Sequence, residues 1–142
     1  MRSAALALAL LATTAALAQP SEGPPKFRWP LIGKIAKVKG GRGLDILAAV
    51  GEAVHAAADG DVIYASDELA SYGKMIVIRH ADGYVTTYAH LSEMSVSKGV
   101  AVKRGQIIGK TGRTGDAKRP ELHFELRKGD ASLDPIGYLS PR

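Results

Sequence analysis

The chain has 142 residues, with 19 Lys and Arg against 14 Asp and Glu and a formal net charge of +5. It contains no cysteine, which excludes a disulfide framework and the attachment of lipid to a processed N-terminal cysteine. No stretch interleaves aromatic residues with Lys and Arg, so a nucleic-acid partner is not expected.

Met1-Arg2 gives a short positive start, and Ala4 to Leu17 is apolar apart from Thr13 and Thr14. Ala16-Leu17-Ala18 is a small-x-small cleavage signature, so residues 1–18 read as a secretory signal peptide. The apolar run is shorter than the ~20 residues of a comfortable membrane span, so no stable membrane anchor is expected. Cleavage leaves residues 19–142 with 18 basic and 14 acidic residues, a charge of +4. That modest excess suits an anionic envelope surface, or simply solubility. Residues 19–28, with Pro20, Gly23, Pro24 and Pro25, read as a linker. A single domain is expected over 29–142, large enough to form a core without disulfides or a structural metal.

From Trp29 on, the pattern is of strands and turns. Lys34 to Lys39 alternates polar and apolar. Val54 to Ala58, Asp61 to Ala65, Met75 to His80 and Tyr84 to His90 are short β-type runs. Ala81-Asp82-Gly83 joins two of them as a hairpin signal. Val100 to Val102, Gln106 to Lys110 and Leu122 to Arg127 continue the series, and Ile136 to Leu139 suits one short turn. No long helical periodicity follows the leader. These features predict an all-β fold, an antiparallel β-sandwich or open barrel.

Side chains two apart on a strand share a face. Glu121 and His123 therefore point together, with Leu122 turned to the core. Asp45 follows the glycine-rich Gly40 to Gly43 and stands at the mouth of a strand. His90 closes the Tyr84 to His90 run. His55 and His80 lie within strands and read as structural.

The order of motifs is distinctive: Gly41-x-Gly43-x-Asp45, Ala56 to Val62, Tyr72 to His80, Tyr88-Ala89-His90-Leu91, Val102 to Gly109, Leu122-His123-Phe124-Glu125 and Asp134-Pro135-x-x-Tyr138-Leu139. Together they resemble the LytM or lysostaphin-type zinc metallopeptidases (the duplicated hybrid motif fold), which cleave peptide bridges in peptidoglycan. The resemblance runs from about Trp29 to Leu139. It implies zinc ligands at Asp45 and His123, with Gly41 where the third ligand, a histidine, belongs. It implies a helper histidine at His90, with Glu121 replacing the other. Two of three ligands and one of two helpers remain, whereas a hydrolytic zinc normally takes three protein ligands and an open position.

The pattern is similar to a branch with degraded metal sites, the murein hydrolase activators of the EnvC and NlpD type. The reading that follows is a catalytically inactive protein with no cofactor, acting as a monomer in the periplasm or cell envelope. It would bind an N-acetylmuramoyl-L-alanine amidase, peptidoglycan, or both. The former active-site groove would be lined by Arg42, Asp45, Tyr72, His90, Glu121 and His123. No coiled coil or LysM module is legible to explain its targeting at division. One alternative is an active zinc endopeptidase using Asp45, Glu121 and His123. The other is a passive peptidoglycan-binding module.

Overall fold

A computed structural model describes residues 26–36 and 42–142. The proposed leader, most of the linker, Gly41 and the end of the Lys34 to Lys39 run lie outside the described residues. Ten strands form one antiparallel sheet: β1 (Ile35–Ala36), β2 (Leu44–Leu47), β3 (Ala53–His55), β4 (Gly60–Ser66), β5 (Lys74–Arg79), β6 (Tyr84–Met94), β7 (Ala101–Val102), β8 (Ile107–Thr111), β9 (Glu121–Lys128) and β10 (Ala131–Leu133). The main path runs β1-β2-β9-β6-β5-β4-β7, with β10 on β9, and β8 joining β3 to β6. The sheet does not close. Two one-turn 3-10 segments, Ala81–Gly83 and Pro135–Gly137, are the only helical elements among the described residues. The all-β, open expectation therefore holds.

Alternation explains which face each residue takes. On β9, Leu122, Phe124 and Leu126 are buried in the core, leaving Glu121, His123 and Glu125 to the other face. On β2, Leu44 and Ile46 are buried while Asp45 and Leu47 are partly exposed. Ile46, Leu122 and Phe124 are fully buried, and burial of such a side chain contributes roughly 1.5–3 kcal/mol. Tyr88 of β6 meets Phe124 edge-on, with ring centroids 5.4 Å apart. The core thus fixes the register of β2, β9 and β6, and that register places the site.

Three details differ from the sequence reading. The linker does not extend through residue 28, because Phe27 is 1% exposed and bridges Leu139. Its ring is held edge-on by His80 and Tyr84 at centroid distances of 5.4 and 5.5 Å. The strand read as ending at His90 continues to Met94. His90 takes a left-handed conformation, φ 63°, and the pairing register with β5 and β8 shifts around it. This is a bulge that turns the strand without ending it. Finally, β10 pairs with β9, although Ala131 to Leu133 carries no clear alternation.

Candidate functional site

The site lies where β2, β9 and β6 run side by side. Asp45 stands opposite His123, which in turn stands opposite Ala89, just before His90. Gly43 makes the entry to β2 possible. Its φ is 74°, and a Cβ there would collide with the Phe124 carbonyl; a side chain at residue 43 would push β2 off β9. Gly43 is thus explained by packing.

A second glycine pair builds the wall. Gly73, at φ 66°, packs so tightly on Gly115 that a Cβ would strike the Gly115 amide. The Asp116 amide donates to the Ser71 carbonyl at 3.0 Å and the Lys74 amide to Thr114 Oγ1 at 3.1 Å. These bonds tie residues 71–74 to residues 114–116. His90 is clamped between them: its amide donates to the Tyr72 carbonyl at 2.9 Å and its Nδ1 to the Thr114 carbonyl at 2.8 Å. A left-handed conformation costs a non-glycine residue about 1–2 kcal/mol, and these two bonds help hold it.

The charges centre on His123. Its Nδ1 donates to Asp45 Oδ1 at 2.7 Å, and its Nε2 lies 3.7 Å from Glu125 Oε2. Burial alone would lower the imidazole, but bonding to Asp45 and Glu125 outweighs it and raises His123 to about 9. Burial opposes ionisation of Asp45, yet its bonds to His123 and Glu121 hold it below the usual carboxylate range. The His123 bond does the same for Glu125. At neutral pH, His123 is an imidazolium closed between two carboxylates.

Glu121 differs. Burial first, then its bond to Asp45 and that residue's charge, push it up to about 7. Its Oε2 is buried with no partner, while Oε1 lies 3.9 Å from Arg119 Nε. In its acid form Glu121 has a hydrogen to donate, and Asp45 is the neighbour that favours that form. The rings of Tyr72 and His90 each lie 6.0 Å from that of His123. Burial and the neighbouring Glu125 raise the Tyr72 hydroxyl, so it stays neutral.

The structure therefore gathers Asp45, Tyr72, His90, Glu121 and His123. Arg42 is exposed, with its charge felt at Tyr72. Sequence reasoning missed Glu125, Thr114, Asp116 and Arg119 as members of the site. Glu125 was within reach of period-two arithmetic, being two residues past His123. The others arrive through the loop that Gly73 and Gly115 bring in.

Zinc does not fit this donor set. A ligating histidine offers a lone pair from a neutral ring, but His123 Nδ1 donates to Asp45 and its Nε2 lies 3.7 Å from the Glu125 carboxylate. Among the described residues no three His, Cys, Asp or Glu side chains are arranged to hold a metal ion. Gly41 has no side chain to contribute. Asp45 and His123 meet as a hydrogen-bonded ion pair, with Glu121 held largely in its acid form by burial and by Asp45.

The fold agrees with that of solved relatives. The chain is 42% identical over 128 residues to the cell division protein DipM of Caulobacter vibrioides, covering 85% of this chain and 21% of that one. It is 41% identical over 121 residues to the murein hydrolase activator NlpD of Escherichia coli, covering 82% and 32%. It thus spans a fifth to a third of these two relatives. The catalytic domain of the antimicrobial peptidase lysostaphin from Staphylococcus simulans superposes with a TM-score of 0.66 at 30% identity, covering 82% of this chain and 89% of that domain. The profile of peptidase family M23 matches residues 39–135, and the chain belongs to that family.

Proposed function

We propose that this chain is an exported, catalytically inactive family member that binds and activates a cell-wall amidase in the periplasm. The observation that carries the reading is the closed triad of Asp45, His123 and Glu125 on an intact peptidase frame. The frame is that of a peptidase family, while His123 on it is held by carboxylates as an internal imidazolium. The activator relative, 41% identical, supports a regulatory role. A groove shaped for an extended peptide can receive a partner segment through backbone hydrogen bonds and a few anchors. Arg42 and Tyr72 are the anchors proposed here, since interface energy concentrates in Arg and aromatic residues. Residues 1–18 would direct export and be removed. The monomeric state belongs to the same proposal.

The test is dye release from labelled sacculi. The chain from residue 19 is assayed alone, beside each amidase of the host, and mixed with it. The mixture should release more dye than the amidase alone, and the chain by itself should release none. Arg42→Glu and Tyr72→Ala should weaken stimulation without changing the melting temperature. Release by the chain alone, stopped by chelator and restored by zinc, would establish the endopeptidase instead. No release above any amidase's baseline, with retention on sacculi, would leave a passive wall-binding module.

A further inference from the structure

A second set of buried polar groups lies outside the groove. The Ala57 amide donates to the Tyr88 hydroxyl at 2.9 Å. Tyr88 and Thr86 Oγ1 are 2.7 Å apart, Thr86 Oγ1 and His80 Nε2 are 2.7 Å apart, and His80 Nδ1 donates to the Asp59 carbonyl at 2.7 Å. Ala57, Thr86 and Tyr88 are fully buried and His80 is 5% exposed, so water does not offer spare partners.

The direction of this line is forced. Tyr88 faces a donor at Ala57, so its own hydrogen goes to Thr86. Thr86 then donates to His80 Nε2, which must be bare. A proton on Nε2 reverses the middle of the line. His80 would donate to Thr86 and Thr86 to Tyr88, whose oxygen can accept from both Thr86 and the Ala57 amide, but the buried Tyr88 hydrogen is then left without an acceptor in the line. A buried donor without an acceptor is costly.

The N-terminal strap hangs on the same residues. The Arg28 amide donates to the Ala57 carbonyl at 2.9 Å, and the Phe27 carbonyl accepts from the Ser140 amide at 2.8 Å. The Phe27 ring rests on His80. Trp29 Nε1 donates to the Ser140 carbonyl at 2.7 Å. Beyond Asp59, the Arg104 amide holds the Asp59 carboxylate at 2.7 Å, and Arg104 Nε reaches the Lys26 carbonyl at 3.2 Å.

We infer that His80 is an acid-sensitive latch: on gaining a proton it reverses this line and releases the strap of residues 27–29 from residues 57–59, while the groove strands stay paired. Burial holds His80 below the ordinary histidine value, against the opposing pull of Asp59. Asp59, on the strap side, is the charged group that acts on it. Arg79 and Asp82 flank it on its own hairpin and are exposed. β6 presents Tyr84, Thr86 and Tyr88, and burial pushes the Tyr88 hydroxyl up to about 12, so it stays neutral.

Amide hydrogen exchange on the chain from residue 19, at pH 7.5 and pH 5.0 and corrected for intrinsic rates, tests the latch. The Ala57 and Arg28 amides should lose about ten-fold or more protection at the lower pH, the scale expected for one unsatisfied buried donor. The β2–β9 ladder should keep its protection. In Thr86→Val the line cannot reverse, and Ala57 protection should no longer depend on pH. Equal Ala57 and Arg28 protection at both pH values would overturn the inference, as would an equal loss in Thr86→Val. A uniform loss that includes β2–β9 would mean general acid unfolding and would also overturn it. If Thr86→Val does not fold, the comparison of strap with ladder in the unaltered chain decides alone.

Discussion

His123→Ala should destabilise the domain by about 3 kcal/mol, because it leaves the buried Glu125 and the partly buried Asp45 carboxylates without their counter-ion. The melting temperature should fall by roughly 10–20 °C. His123→Gln keeps much of the volume and some hydrogen bonding but not the charge, and should lose nearly as much. The effect depends on pH with a definite sign. His123 is raised to about 9 in the folded chain against an ordinary 6.5. Its stabilisation is therefore complete below about pH 6.5 and is lost as pH rises through about 9. Unaltered chain and variant should differ most at pH 6 and converge toward pH 10. Thermal melts across that range check this. A loss under ~0.5 kcal/mol at pH 6, ordinary for a surface residue, would mean that His123 is an idle remnant.

Gly41→His combined with Glu121→His should turn a chain with little affinity for zinc into one that takes up about one ion, the three-ligand arrangement of a hydrolytic site. Two changes act together. Residue 41 gains an imidazole, and residue 121 loses the carboxyl that bonds to Asp45. Zinc must still displace the proton that His123 shares with Asp45, so uptake should strengthen as pH rises. Titration calorimetry at pH 7 and pH 8.5 measures both. Hydrolysis of murein should return weakly, because the neighbours that orient ligands were not selected for metal. No uptake at either pH would show that residues 41 and 121 do not come close enough to Asp45 and His123 to share a metal ion with them.

Much of this site was legible because β9 obeys a simple rule. Leu122 turns inward, so Glu121 and His123 share a face, and the structure shows both beside Asp45. The hairpin at Ala81 to Gly83 was equally plain, since Asp82 and Gly83 accept the positive φ that the turn requires. Where tertiary contacts decide, the sequence was silent. Nothing in Tyr84 to Met94 marks His90 as left-handed; that conformation exists because Tyr72 and Thr114 carbonyls clamp its amide and ring. Thr114 and Asp116 enter the site only because Gly73 and Gly115 lack side chains at their contact. Phe27 looks like part of a proline-rich linker until His80, Tyr84 and Leu139 are seen around it. Most telling is Glu125. The motif containing it reads as half of a metal site, but the structure makes it the second carboxylate on an imidazolium. Protonation of His123 is a property of three side chains meeting, and no single one of them announces it.

The central claim is that an internal cation, not a metal ion, completes this site. Elemental analysis of the chain from residue 19, purified without chelator and melted with and without EDTA, tests it most directly. The account predicts far less than one zinc per chain and the same melting temperature in both buffers. One zinc per chain, with a melting temperature that drops steeply on chelation, would contradict it.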